Sequence, residues 1–211
     1  MLEILNNRTE HTHENQQFRR VVDIIETTFD KLGYNGLLIG NPFNESYSRF
    51  RADAILYYDN GLILIDFKDY KGIIKLQPNE NEFHSTKWHN ESTKDRSRLE
   101  IKAGANFINP FRQLVYYRNA FRELVEKNKY LESINPARVC IANIFSGPIE
   151  IHNEVPRNLP YYKLIQESSL GNFLYDYASE NSYKENIANV LKNIFPAEKW
   201  MKNIEVPETE T

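Results

Sequence analysis

The sequence predicts one mixed α/β domain: a central mixed β-sheet with a β-hairpin meander, flanked by helices. Three observations point to it. Ala54–Tyr58 and Leu62–Ile65 are apolar runs on either side of Asp59-Asn60-Gly61, a strong short-range hairpin signal. Two long segments, one after Thr12 and one after Asn109, carry apolar residues at helical spacing. Val139–Phe145 is a further apolar strand, closed by Ser146-Gly147-Pro148. The 211 residues, 41% of them hydrophobic, suffice for one domain with its own core.

Residues 1–12 are polar and read as a flexible N-terminal arm, residues 13–198 as a single domain, and residues 199–211 as a tail or linker. The first helix should run from Thr12, as N-cap, to Lys31. Gly33 ends it, and Phe18, Val21, Val22, Ile25 and Phe29 form its buried stripe. Glu14 in the first turn is either a surface acid complementing the helix dipole or an acid directed toward the hairpin. Leu37–Ile39 is a short strand ending at Gly40-Asn41-Pro42. Phe50–Tyr58 and Leu62–Asp69 are the hairpin strands, and Gly72–Leu76 is expected as a third arm of the meander.

From residue 77 to Ile108 the chain turns polar and loses any sustained period. Such a long irregular segment in a compact domain is usually functional or mobile. Between His84 and Lys102 it carries five Lys/Arg, Arg96 and Arg98 among them, against three Asp/Glu, together with Trp88. It is either a solvated loop or a basic, aromatic-bearing flap suited to a phosphate backbone. His84 and His89 lack the neighbours that a zinc site requires.

Asn109-Pro110 is a helix start, with Asn as cap and Pro at the first helical position. The helix should run to Lys127 and bury Phe111, Leu114, Val115, Phe121 and Val125, with Gln113 and Tyr117 stacked four apart. After Val139–Phe145, expected beside the hairpin, come a Pro- and Asn-rich loop to Pro160 and a last strand over Tyr161–Ile165. Ser168 or Ser169 would cap a helix over Leu170–Tyr177, and Lys184–Phe195 forms a final helix closed by Pro196.

A net charge of −3 confines any nucleic-acid surface to a local patch. Cys140 is the lone cysteine and cannot form an intrachain disulfide. No apolar run reaches the roughly 18 residues of a membrane span, and the first residues lack the form of a secretion signal. The expectation is a cytoplasmic protein with no membrane association.

The chemistry concentrates on the hairpin. With Asp59 and Asn60 central in the turn, Asp53 faces Asp66; with Asn60 and Gly61 central, it faces Lys68. Asp66 and Lys68 share a face because side chains alternate along a strand. Either register therefore gathers Asp53, Asp66 and Lys68. Paired carboxylates in a buried sheet repel, and one resists ionisation unless a cation intervenes. A hard divalent ion with oxygen ligands removes the conflict, whereas a Lys–Asp salt bridge on a solvated face is the plainer reading.

These residues, taken in order, resemble the nuclease-related domain (NERD) family of the PD-(D/E)xK nuclease superfamily, over about residues 10–175. The carriers are Glu14 on the first helix, Asp53 opening the second strand, and Asp66-Phe67-Lys68 as the (D/E)xK triplet. Gly72, Trp88, Asn109-Pro110-x-x-Gln113 and Val139–Phe145 follow. Gln113-x-x-x-Tyr117 is similar to the QxxxY element of the superfamily's exonuclease branches. Three positions depart from the family pattern: His13 where Gly is expected, Ala54 where His is frequent, and Asp66 in place of the commoner Glu. The resemblance implies a restriction-endonuclease-like core and phosphodiester hydrolysis, in DNA before RNA, assisted by Mg²⁺ or Mn²⁺. Asp53 and Asp66 would hold the ion, with the Phe67 carbonyl and Glu14 as further ligands. Lys68 would orient the attacking water or neutralise charge, and Gln113, Tyr117, Trp88, Arg96 and Arg98 would contact the nucleic acid. Modules of this kind often accompany helicase or kinase partners. The alternative is a catalytically inactive nucleic-acid-binding or interaction module of the same fold.

Overall fold

Asp59 and Asn60 occupy the hairpin turn, so Ala54 pairs with Ile65 and Tyr58 with Gly61. This is the register in which Asp53 lies opposite Asp66. Gly61 takes φ +154°, and a Cβ there would lie 2.5 Å from the Tyr177 ring; glycine is required on both counts. The structure is a computed structural model that describes residues 1–10, 12–76, 80–104 and 106–202.

The hairpin strands, β3 (Ala54–Tyr58) and β4 (Gly61–Lys68), sit inside a seven-stranded mixed sheet. β3 pairs antiparallel with β2 (Gly36–Gly40), which runs parallel to β1 (Leu2–Asn6). On the other side, β4 runs parallel to β8 (Cys140–Phe145), and β8 parallel to β10 (Tyr162–Gln166). Every residue of β3, β4 and β8 is buried, as expected of strands covered on both faces. α1 (Thr12–Leu32) and α4 (Leu170–Asp176) cover one face through Phe18, Val21, Ile25, Phe29, Leu170 and Leu174. α3 (Pro110–Lys127) and α5 (Glu185–Ile194) cover the other through Phe111, Leu114, Phe121, Ile187 and Leu191. This is the central mixed sheet between helices that the sequence predicts.

Several boundaries differ from expectation. Residues 2–6 are not an irregular arm: Leu2, Ile4 and Leu5 give them one apolar strand's worth of burial, and their pairing partner lies over 30 residues away, beyond local signals. The expected cap at Thr12 falls on a side chain outside those described. The tail does not begin at Lys199, because β11 (Glu198–Lys199) pairs with β1 and the Trp200 ring lies edge-on to Phe18 at 5.2 Å. Residues 203–211 lie outside the described set. Neither Ser168 nor Ser169 caps α4 with its side chain: both lie in the 3₁₀ turn Glu167–Ser169, and no side-chain cap bond is made there.

β5 (Gly72–Lys75) is not a third arm of the meander. The place beside β4 is taken by β8, and β5 joins a separate four-stranded sheet with β6 (His89–Glu91), β7 (Arg98–Glu100) and β9 (Ile149–His152). β9 falls in the segment read as loop, because Pro148 and Asn153 flank only four strand residues. The polar segment therefore carries regular structure, with α2 (Glu80–Ser85) ahead of β6 and β7.

Trp88 is fully buried and packs against Phe83 and Tyr162, with ring centroids at 5.1 and 6.3 Å. It is not presented to a ligand. The apolar cost of exposing an indole outweighs the local polarity that suggested a flap. Trp88→Ala is expected to destabilise the fold by about 3–5 kcal/mol, read as a fall in the urea midpoint. An unchanged midpoint would show that the indole is not a core group.

Candidate active site

Asp53 precedes β3 but remains in the ladder: its N–H donates to Ile65 O at 2.9 Å, and its carbonyl accepts from Asn41 N at 2.7 Å. Because β3 pairs no further, the Phe67 N–H on β4 needs another acceptor. The Asp53 carboxylate supplies it, Oδ2 accepting from Phe67 N at 2.6 Å. Backbone and side chain together fix Asp53 against the end of β4.

Asp66 and Lys68 point to the same face, the one covered by α3, since they alternate with Ile65 and Phe67 of the α1-side core. Asp66 is 3% exposed and Lys68 8%. Lys68 Nζ lies 2.8 Å from Asp66 Oδ2 and donates to Gln113 Oε1 at 3.2 Å. Gln113 Nε2 in turn donates to the Tyr117 hydroxyl at 3.3 Å. Gln113 is placed by its helix start: Asn109 Oδ1 accepts from Arg112 N at 2.9 Å, while Asn109 Nδ2 donates to Phe83 O and Thr86 O. The capping asparagine expected from the sequence thus also ties α3 to the α2 segment. Gln113 and Tyr117 are both buried and brace the ammonium.

Asn143 was not singled out by the sequence. It stands opposite Asp66 in the β4–β8 pairing and donates from Nδ2 to Asp66 Oδ2 at 2.6 Å, while its Oδ1 accepts from the Tyr162 hydroxyl at 2.8 Å. The available signal was one amide in the otherwise apolar run Cys140–Phe145, where an unpaired polar group is costly.

Glu14 lies in the first turn of α1 and is half-buried. Its charge is felt by Asp53, and it does not make up a three-acid metal group with Asp53 and Asp66 among the described residues. One turn on, buried Gln17 donates to Ile144 O at 3.0 Å, tying the start of α1 to β8 at the acid end of the sheet. Arg96 and Arg98 are exposed; Arg98 lies on β7, in the second sheet, with Nη2 3.0 Å from His89 Nδ1.

The electrostatics are those of an under-neutralised acid pair. Burial pushes the Asp53 carboxyl well above the usual carboxylate range, and the nearby charge of Asp66 pushes it further. Lys68 and the Phe67 N–H oppose that rise without cancelling it. Burial also raises Asp66, against the pull of Lys68 and Asn143. Lys68 loses solvation, which favours the neutral amine, but Asp66 and Asp53 outweigh that loss and hold it as an ammonium.

Asp53 and Asp66 lie within hydrogen-bonding reach of each other, and the available donors are carboxylate and carbonyl oxygens. Such a set suits a hard ion such as Mg²⁺ or Mn²⁺. Among the described residues no group of three or more His, Cys, Asp or Glu could hold a metal ion. A cation here would therefore rest on two acids, with carbonyl and water oxygens completing its shell.

The pair contributes to the pH dependence of the metal-free protein. A carboxyl with a raised folded-state pKa binds more protons folded than unfolded, so its contribution to stability is lost as pH rises through that pKa. Asp53→Asn keeps an oxygen for Phe67 N and removes the repulsion. It should raise the melting temperature at pH 8 by more than at pH 4 in EDTA; an equal change at both pH values would contradict the charge argument.

The family model for the nuclease-related domain matches residues 11–142, well over half of the chain. No curated protein and no solved structure matches. Among the described residues no helix is long and apolar enough to cross a membrane.

Proposed function

We propose that this chain, which belongs to the nuclease-related domain family, hydrolyses phosphodiester bonds of nucleic acid, DNA ahead of RNA, with Mg²⁺ or Mn²⁺ held by Asp53 and Asp66. The observation that carries the reading is the buried acid pair facing a single ammonium. A protein that only binds has no use for two carboxylates in mutual repulsion, whereas a divalent ion converts that repulsion into affinity. The Phe67 carbonyl would be a further oxygen in this assignment, and Glu14, whose charge reaches Asp53, would act from outside the ligand set. When bound, the ion would polarise a phosphoryl oxygen and acidify a water.

The chain's own groups divide the remaining work. Lys68, kept protonated by its two acids, does not take a proton from the attacking water; it supplies positive charge against the negative charge that grows on the phosphoryl oxygens. Gln113 limits where that ammonium can move, and Tyr117 holds Gln113 in turn. Arg96 and Arg98 offer a cationic exposed edge to the phosphate backbone, an attraction that weakens with salt.

The test is cleavage of labelled single- and double-stranded DNA in Mg²⁺, Mn²⁺ or EDTA, by the wild type and by Asp66→Asn. Cutting should require the metal and fall by more than about 100-fold in the variant, because losing a ligand costs more than losing a partner behind it. Equal cutting by the variant, or cutting in EDTA, would overturn the assignment. Binding of DNA without any cutting would favour the inactive module.

A further inference from the structure

We infer that Asn143 is a positioning residue for Asp66 and that Tyr162 sets the orientation in which it acts. The inference rests on the metal-dependent reading above and names a group outside the Asp53–Asp66–Lys68 set.

Asp66 receives two donors on one oxygen: Lys68 Nζ at 2.8 Å and Asn143 Nδ2 at 2.6 Å, both on Oδ2. With Oδ2 held from two sides, rotation about the Cβ–Cγ bond is restrained. Lys68 alone would not hold the carboxylate in this way, because its long stem follows its partner. Asn143 is rooted in the strand directly beside β4 and is fully buried.

A primary amide has two faces, and the wrong one would press its oxygen against the carboxylate. The Tyr162 hydroxyl removes that choice. Burial pushes its pKa well up, with the nearby charge of Asp66 adding to the rise, so it remains a protonated donor, and it donates to Asn143 Oδ1 at 2.8 Å. The Asn143 Nδ2 therefore faces Asp66. Tyr162 is in turn immobilised by rings, with centroids at 4.9 Å from Phe111, 6.0 Å from Phe83 and 6.3 Å from Trp88. The buried indole that the sequence suggested for the substrate stands at the far end of this relay.

A donor without charge is the appropriate group at position 143. A second cation would quench the acid pair that draws a metal, and an apolar residue would leave both Asp66 and the Tyr162 hydroxyl short of a partner.

The experiment compares Mn²⁺ binding by calorimetry with DNA cleavage across a Mn²⁺ series, for wild type, Asn143→Ala, Tyr162→Phe and the double variant. Removing a partner that orients a metal ligand typically costs 10–100-fold in metal affinity. Asn143→Ala should bind Mn²⁺ at least about tenfold more weakly, and its cleavage defect should shrink as Mn²⁺ is raised. Tyr162→Phe should shift both readouts less, in the same direction. The double variant leaves no stranded hydroxyl and serves if the single variant does not fold. A purely structural role would lower the melting temperature without a metal-dependent rescue. Wild-type Mn²⁺ affinity in Asn143→Ala, with the wild type cutting DNA, would overturn this inference and leave the nuclease standing. A wild type that neither binds Mn²⁺ nor cuts would remove the nuclease reading and this inference with it.

Discussion

Lys68 is an ammonium with almost no access to water, and it has two carboxylates to satisfy. Desolvating a charge is tolerable only when partners replace the lost water, and much of the surrounding architecture supplies those partners. β4 delivers Asp66 and Lys68 to one face, the end of the hairpin ladder delivers Asp53, and α3 delivers Gln113. Each comes from a different element, so the sheet and α3 must be in register before any of these charges is tolerable. With both acids ionised the arrangement would carry one negative charge more than Lys68 neutralises, and the raised Asp53 carboxyl is the cost of that surplus. That surplus is what the proposed cation would offset, and an internal salt bridge has none.

The aromatic cluster of α2, Trp88 and the start of α3 has a second connection to this balance. Phe83, Trp88 and Phe111 form the wall on which Tyr162 rests, and Asn109 joins the α2 segment to the start of α3. The position of Gln113 and the position of Tyr162 thus depend on one cluster of rings. Packing there fixes two donors that never touch a ring.

Much of this was legible in the chain itself. Asp-Asn-Gly between apolar runs gave the hairpin and confined the three charged residues to one patch in either register. Asn109-Pro110 gave the helix start and hence Gln113. What escaped was non-local. β1 and β9 are four or five residues long and owe their existence to partners far along the chain. Trp88 sits among polar residues, and only tertiary packing reveals that it is core. Asn143 is a single amide whose purpose depends on which strand lies beside it, and no local pattern states that.

The separation in sequence has its own consequence. Asp66 and Asn143 are 77 residues apart, and Lys68 and Gln113 are 45 apart. Loops of that size close only after considerable loss of chain entropy, and parallel pairing of this kind cannot form between near neighbours. A chain still emerging from the ribosome carries the acids of the hairpin long before it carries Asn143 and Tyr162. The complete constellation comes into being only when most of the domain has been made and the sheet has closed, and a cut between β5 and β8 that lets the two halves separate would dissolve it. Assembly of the whole is thereby a condition for the smallest working part.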